Sequence, residues 1–475
     1  RTFDNPREMF GYLAYPKGGW VLHMLRSELG PDLYRKCIKT YLERHQYDSV
    51  VTEDLRKVIE ELSGKPFDQF FDQWLYHAHH PELDVTYSWD EKTKLAKVSI
   101  RQVQKLTDNI LLFNIPMTLR FKGEFGTVEQ SFRIRQKEED FYFSLKSAPK
   151  IARLDPEYTI LEKVSFNLPD AMVYAQLADK TDSIGRMLAI EQLANKKNKE
   201  AVARLKDVLN NDTFYGVRIE ASKALRTIHS DEALDALIAS TKQSDARVRQ
   251  QVVADLGGFY RDTAFAASLG ALKSEKNPDI VSAAVRNLGL YSKAEVRETL
   301  LAFLKSKSFR NGLATAAVEA MKLQDDPAYI PALLQTLPAR ESEFQSRSLG
   351  QSLGTLAYLA RNETKKDDVR ELLLKYTQHK MRNLQLAAIT ALGTLGDPKA
   401  IAVLETFVAM PRESRERTAA EQAVAKLRGD RKPGDDLKAL RQEVTDLQKS
   451  NRDLKKEVEG LKKKTEAKDA APVAK

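Results

Sequence analysis

The spacing of apolar residues changes twice along the chain, and each spacing predicts a different kind of structure. Over residues 1–81 apolar side chains recur every three to four positions, which predicts helices. The apolar face predicted for the first helix consists of Val21, Leu22, Leu25 and Leu29. That predicted for the second consists of Leu33, Cys37, Ile38, Tyr41 and Leu42. Thr52 is the predicted N-cap of a third helix, and Pro66 the predicted start of a fourth, with Phe67, Phe70, Phe71, Trp74 and Leu75 packed inside.

Near Pro81 the period falls to two. Apolar residues then alternate with polar ones in several short runs, which contain Val98 and Ile100, Ile115 to Phe121, Phe132 and Ile134, and Phe141 to Leu145. Polar turn residues separate these runs. Short alternating strands joined by turns are typical of a sandwich, so residues 82–166 are predicted to form a small antiparallel β-sandwich.

From about residue 170 the chain repeats itself. A small or apolar residue recurs with partners four, seven and eight positions later. The sets that begin at Gly185 and Glu416 are weaker, and the clear sets begin at Val217, Val248, Ile280, Leu313, Leu349 and Leu384. They are 31 to 36 residues apart, which is the length of two short helices and a turn. Residues 170–430 therefore resemble HEAT repeats, about eight in number, stacked as an α-solenoid.

A heptad pattern follows the repeats. Over residues 435–463 the a positions are Leu437, Val444, Asn451 and Val458, and the d positions are Leu440, Leu447, Leu454 and Leu461. Valine at a, leucine at d and a single asparagine at a favour a parallel two-stranded coiled coil. This segment is predicted to join two copies of the chain, the alternative being a single solvated helix. The last residues, 464–475, are predicted to be disordered.

Composition changes this picture little. The chain has 475 residues, a formal charge of +9 and one cysteine, Cys37, so neither an intrachain disulfide nor a multi-thiolate metal site is expected. Because the positive charge is spread thinly, no nucleic-acid partner is expected, and no apolar run is long enough for a membrane span. The chain begins with Arg1, so we expect it to start within a longer protein or after processing. The sequence gives no compartment.

The stretch from Ala14 to Arg26, AYPKGGWVLHMLR, carries the strongest chemical signal. Together with VTEDL (51–55), SGKPF (63–67), FDQWL (71–75) and PELDV (81–85), it resembles the zinc aminopeptidases related to aminopeptidase N. The resemblance covers about residues 1–166. It implies that residues 1–81 are the C-terminal helical part of a thermolysin-like catalytic domain, followed by the sandwich.

The resemblance also implies a catalytic residue. Tyr15 would donate a hydrogen bond to the oxygen of the tetrahedral intermediate, opposite the zinc. Because Pro16 follows it, Tyr15 is expected to be extended at the mouth of a helix whose positive end favours an oxyanion. The H-E-x-x-H zinc ligands and the G-x-M-E-N motif of the family are absent from this sequence. Zinc is therefore expected only in a longer parent protein, and this chain alone should be inactive.

Other candidate residues are interpreted as structural. His77, His79 and His80 lie close together but lack the carboxylate pattern of a known metal site, so an exposed loop is predicted and no metal ligand is assigned. His23 is interpreted as a packed histidine. The repeat arginines, including Arg218 and Arg249, are expected to support stacked helices rather than to bind phosphate.

Two functions stay open at this stage. The first is part of a zinc metallo-aminopeptidase that removes N-terminal residues from peptides by means of a zinc-activated water, with the repeats as a cover that controls peptide access. The second is a non-catalytic scaffold, in which the repeats bind a protein partner and the peptidase portion is a remnant. The retained Tyr15 favours the first, because a remnant has no need of the donor.

Overall fold

A computed structural model of the chain describes residues 10–11, 13–196, 198–411 and 414–429, and nine helical positions between 444 and 458. The fold divides into two compact units, Arg1–Asp255 and Leu256–Lys475, and each is described by itself. The described part is mainly helical, with one small β region. None of its helices has the length and apolar character that crossing a membrane requires.

The first unit begins with a helical bundle. A π-helical turn, Leu13–Lys17, leads directly into the first of its helices, and a second π-helical turn, Asp72–Tyr76, follows the last. The helices are α1 (Gly18–Leu29), α2 (Pro31–Arg44), α3 (Thr52–Ser63) and α4 (Asp68–Phe71). Leu25, Cys37, Ile59, Phe67 and Phe71 form its buried core.

Some predicted core positions of this bundle are wrong. Leu22 is 40% exposed, Leu42 61% and Leu75 38%, whereas Met24 is buried. Leu22 is exposed because it lies outside the face of α1 that packs: Val21 and Met24 face the sandwich core, and Leu25 faces the bundle. The predicted cap is also shifted by one residue. Val51 is the N-cap of α3, and its N–H donates to Asp54 Oδ2 at 2.9 Å.

Two facing sheets form the β region. Their strands are β1 (Glu82–Asp90), β2 (Leu95–Gln102), β3 (Ile115–Gly123), β4 (Gly126–Ile134), β5 (Glu138–Ser144), β6 (Ile151–Leu154) and β7 (Lys163–Asn167). The sheet orders are β5-β2-β1-β7 and β4-β3-β6. All pairs are antiparallel except β1 with β7, which runs parallel because the chain crosses from the second sheet before it returns.

Alternating residues of both sheets fill one core. Its fully buried members include Val85, Val98, Ile100, Ile115, Leu119, Phe121 and Ile134. The predicted inward positions in the runs around Val98 and Ile115 are confirmed. Trp74, from the turn after α4, joins this core and lies 5.3 Å from Phe113 between ring centroids. The bundle and the sandwich therefore share buried side chains.

Paired helices follow the sandwich. In the first unit they are α5 (Asp170–Ala178), α6 (Ser183–Ala194), α7 (Lys199–Asn211), α8 (Tyr215–Ile228), α9 (Asp231–Ala239) and α10 (Ala246–Leu256). In the second they are α11 (Asp262–Ser274), α12 (Pro278–Leu288), α13 (Ala294–Lys305), α14 (Gly312–Gln324), α15 (Ile330–Ala339), α16 (Ser346–Ala360), α17 (Asp367–Tyr376), α18 (Arg382–Leu395), α19 (Ile401–Val408) and α20 (Arg415–Arg428). The residues that define the sequence repeat all lie on the even-numbered helices from α6 to α20.

We call these even-numbered helices inner, because they carry most of the contacts between successive repeats of the second unit. In the second unit α12, α14, α16, α18 and α20 pack on one another in chain order, and their small residues are buried at the contacts. A Cβ on Gly289 or Gly393 would lie 2.7 or 2.9 Å from the backbone of the next inner helix, so small residues set the distance between inner helices.

The repeat arginines bond within the repeats. Arg218 donates to Gln243 Oε1 and Arg249 to the Gln243 carbonyl oxygen, so both support local structure in the repeats.

The predicted coiled coil lies largely outside the described residues. Leu437, Leu440 and Leu461 are not described, nor is the predicted disordered tail 464–475. Val444, Leu447, Asn451, Leu454 and Val458 are in helical conformation. The four apolar residues among them are 46% to 62% exposed in the single chain.

Candidate active-site segment around Tyr15

Tyr15 lies in the π-helical turn that opens the bundle. Its N–H donates to the Gly11 carbonyl oxygen at 3.2 Å, and its ring stacks on that of Phe10 with centroids 6.1 Å apart. The residue is 64% exposed. A phenol held by its backbone and left largely open to solvent is available to a ligand.

The expected extended conformation of Tyr15 is wrong. Residues Leu13–Lys17 are helical and contain Pro16. A proline is accepted there because the first turn of a helix has N–H groups without helical partners in any case. Tyr15 thus belongs to the first turn of a helical run that continues to Leu29, and it still lies at the positive end of that run.

The helix that follows Tyr15 is fixed on two sides. Val21 and Met24 of α1 are buried in the sandwich core, and Leu25 is buried in the bundle core. Burying side chains of this size stabilises a fold by about 1.5–3 kcal/mol each. The position of Tyr15 therefore depends on both cores, not on its own loop.

A loop of the sandwich holds the same helix by polar contacts. His23 Nε2 lies 3.0 Å from the Tyr158 carbonyl oxygen, and the Leu161 N–H points to Met24 Sδ at 3.5 Å. The Trp20 ring lies against the Tyr158 ring, with centroids 5.9 Å apart. His23 is thus a half-buried contact residue, in agreement with its interpretation from sequence.

The histidine loop lies next to this segment. Lys17 Nζ donates to the His77 carbonyl oxygen at 3.4 Å. His79 has a left-handed backbone, with φ of 73°, and its Nε2 lies 3.5 Å from Glu82 Oε1. Burial and the neighbouring His79 lower the pKa of His80. The His-x-x-Glu spacing of residues 79 and 82 was the one signal for this juxtaposition in the sequence.

His79, His80 and Glu82 are the one group of three potential metal ligands among the described residues. One ligand atom of each lies within 4.8 Å of the others. They do not fit the zinc centre that the resemblance implies, because that centre uses two histidines on one helix face and this group lies in a turn. The zinc centre of the aminopeptidases is therefore not supplied by this loop.

Comparisons with known proteins match two parts of this chain. Residues 1–74 match the peptidase family M1 domain, and residues 171–257 and 351–425 match HEAT repeats. Aminopeptidase M1-A of rice is 26% identical over 236 residues, which are 45% of this chain and 25% of that protein. Glutamyl aminopeptidase of Bitis rhinoceros is 33% identical over 195 residues, which are 35% of this chain and 20% of that protein.

The matched parts are thus a quarter or less of these relatives' length. Among solved structures, Legionella pneumophila aminopeptidase A in complex with aspartic acid aligns with a TM-score of 0.45 and 13% identity, over 89% of this chain and 58% of that one. The resemblance to aminopeptidase N-like zinc peptidases is confirmed by the match of the N-terminal segment that contains Tyr15 to the M1 peptidase family, and that segment is followed by HEAT repeats.

Proposed function

We propose that this chain is part of a zinc metallo-aminopeptidase that removes N-terminal residues from peptides. The observation that supports this proposal most directly is the M1 match over residues 1–74. The matched segment contains Tyr15, which precedes a helix fixed by two cores. In the parent protein, residues outside this sequence would hold the zinc that activates the attacking water. This chain alone is expected to be inactive.

Tyr15 is the residue that this chain contributes to the reaction. Its phenol O–H would donate a hydrogen bond to the substrate carbonyl oxygen as negative charge develops there. Its exposure and its place in the first helical turn support this role, because the helix N-terminus adds a positive field. One such donor is worth about 3–4 kcal/mol in a transition state.

The repeats and the heptad segment would serve access and assembly. The repeats would cover the catalytic cleft and control the entry of peptides, or bind a protein partner. The exposed Val444, Leu447, Leu454 and Val458 would pair with a second copy of the chain. The aminopeptidase matches do not favour the alternative, a non-catalytic scaffold.

The test uses the full-length protein. Tyr15→Phe should lower kcat about a hundredfold or more, and zinc content, measured by atomic absorption, should stay at the wild-type level. Tyr47→Phe is the matched control, because Tyr47 is 99% exposed and lies outside the Ala14–Arg26 stretch of the sequence; its rate should change by less than about twofold. A near-normal rate for Tyr15→Phe would remove this residue from the mechanism.

A second result separates the two functions. The coding sequence upstream of Arg1 should contain H-E-x-x-H and a following glutamate. A start codon there without these ligands would leave the scaffold as the surviving function.

A further inference from the structure

A cavity of about 640 Å³ lies between the last strands of the sandwich and the first two repeat helices. We name it the β6–α6 cavity; its lining includes Trp20, Arg153, Tyr158, Glu162, Gln176 and Leu188. Its volume lies within the usual range for small-molecule sites and is about twenty times that of one water molecule. It lies wholly within the first unit.

Three buried polar atoms of this lining have no hydrogen-bond partner among the described residues. They are Arg153 Nη2, Glu162 Oε2 and Gln176 Oε1. Arg153 and Gln176 are each only 3% exposed. An unpartnered buried polar atom costs about 1–3 kcal/mol, so three at one cavity indicate a partner that the chain itself does not supply.

The donor and the acceptor are held rigidly. Arg153 Nε donates to Asp182 Oδ2 at 2.8 Å, and Asp182 Oδ1 accepts from the Gly185 N–H at 2.7 Å. Gln176 Nε2 donates to the Gly185 carbonyl oxygen at 2.7 Å. Both side chains are thus tied to the first turn of α6, and each keeps one polar atom free. A site with fixed polar groups loses little freedom when a ligand binds.

Glu162 supplies the third group. Burial, with Asp155 nearby, raises its pKa well above that of an ordinary glutamate. Its surroundings therefore favour the neutral form of the carboxyl group more than those of an exposed glutamate do. A cation placed beside it would favour the ionised form.

The lining is thus complementary to two kinds of charged group in one small molecule. Glu162 and Gln176 Oε1 suit an ammonium group, which offers three N–H donors. Arg153 Nη2 suits a carboxylate, and Trp20 and Leu188 offer apolar surface to a side chain. We propose that the β6–α6 cavity binds a free α-amino acid with an apolar side chain, by these contacts. This inference does not depend on hydrolytic activity.

Calorimetric titration of the 475-residue chain tests the ligand. L-leucine should bind with a dissociation constant of about 1 mM or tighter. Isoamylamine lacks the carboxylate and 4-methylpentanoate lacks the ammonium group, so each should bind at least tenfold more weakly. Failure of leucine to bind, or equal binding of all three, would overturn the proposal and leave a water-filled cavity.

Two variants and a control locate the site. Glu162→Gln and Gln176→Met keep side-chain volume, and each should weaken leucine binding at least tenfold. Glu157→Gln is the control, because Glu157 is in the same loop but exposed and pairs with Arg120; its affinity should stay within twofold. Folding is checked by circular dichroism. If both variants fold and bind leucine as the wild type does, the site lies elsewhere.

Proton release gives a second readout. If ammonium binding ionises Glu162, its proton passes to the buffer. Titrations in two buffers of different ionisation enthalpy, repeated between about pH 5 and 8, should then show proton release on leucine binding over part of this range. Glu162→Gln should release none. Equal heats in both buffers at every pH for the wild type would contradict the assigned contact with Glu162.

Discussion

Gln73 and Asn114 form a closed pair of hydrogen bonds between the bundle and the sandwich. Gln73 Nε2 donates to the Asn114 carbonyl oxygen at 3.1 Å, and the Asn114 N–H donates to Gln73 Oε1 at 3.0 Å. Gln73 is only 6% exposed, between the buried Phe71 and Trp74. Its side-chain amide thus satisfies both backbone hydrogen-bonding groups of Asn114, the residue before β3, as a neighbouring strand would.

Gln73→Ala should destabilise the first unit by about 2–3 kcal/mol. The substitution removes the partners of the N–H and the carbonyl oxygen of the half-buried Asn114, and unpaired groups away from water cost about 1–3 kcal/mol each. Chemical denaturation monitored by tryptophan fluorescence measures the loss, since Trp74 is adjacent. Gln69→Ala is the control: Gln69 Oε1 accepts from the side-chain Nδ2 of Asn114 but Gln69 is exposed, so its loss should stay below about 0.5 kcal/mol. Equal losses would show that burial of the pair does not matter.

Gly185→Ala should also destabilise the first unit, by about 1–3 kcal/mol. A Cβ at this position would lie 2.6 Å from Asp182 Oδ2 and 3.0 Å from Arg153 Nε, so the buried ion pair would have to separate. Thermal unfolding measures the change. Wild-type stability of this variant would mean that the pair can move without cost.

Gly270→Ala provides the comparison for that steric argument. Gly270 lies within α11 and a Cβ there would meet no atom within 4 Å. Because alanine is the better helix former, this substitution should stabilise α11 by about 0.5–1 kcal/mol. The two Gly→Ala substitutions should therefore change the stability of the protein in opposite directions.

The Arg382–Glu416 pair should make stability depend on pH. Two hydrogen bonds of 2.9 and 2.8 Å from the Arg382 guanidinium lower the pKa of Glu416. A carboxylate whose pKa is lowered by folding stabilises the protein above its unfolded pKa, and this contribution is lost as pH falls through the folded pKa.

Glu416→Gln should therefore cost stability at pH 7, by about 1–2 kcal/mol because Arg382 itself is largely exposed, and less at pH 3. Melting curves at several pH values between these limits measure the difference. Glu421→Gln, which breaks an exposed pair with Arg417, should change stability by about 0.5 kcal/mol or less at any pH. A pH-independent effect of Glu416→Gln would contradict the ion-pair explanation.

The heptad segment predicts a dimer. The double variant Leu447→Lys/Leu454→Lys places two charges at d positions and should convert a dimer into a monomer, measured by light scattering after size-exclusion chromatography. Gln442→Lys/Thr445→Lys adds the same charge at f and b positions and should stay dimeric. A monomeric wild-type chain at micromolar concentration would count against the coiled coil.

Periodicity was enough to predict the repeats. The i, i+4, i+7, i+8 sets that begin at Val217, Leu349 and Leu384 lie on inner helices, because a repeat imposes the same packing on each copy. It was not enough for α1. Leu22 and Met24 have similar apolar character, and which one is buried depends on where the sandwich meets the bundle.

The site could be predicted only where a motif exists. Tyr15 was found through its neighbours along the chain, but its π-helical backbone was not, since a proline usually predicts an extended preceding residue. No pattern in the sequence predicted the β6–α6 cavity. Arg153, Glu162 and Gln176 belong to different parts of the chain, and only tertiary packing brings them to one cavity.

The salt bridge between Arg153 and Asp182 has a practical consequence for dissecting this protein. Arg153 lies on the last strand but one of the sandwich, and its buried counter-ion comes from the turn before α6. Cleavage near residue 168 would separate the Arg153 guanidinium from the Asp182 carboxylate. It would also remove α5, which packs against β6. A stable N-terminal fragment for expression should therefore extend at least through Ala194, the end of α6.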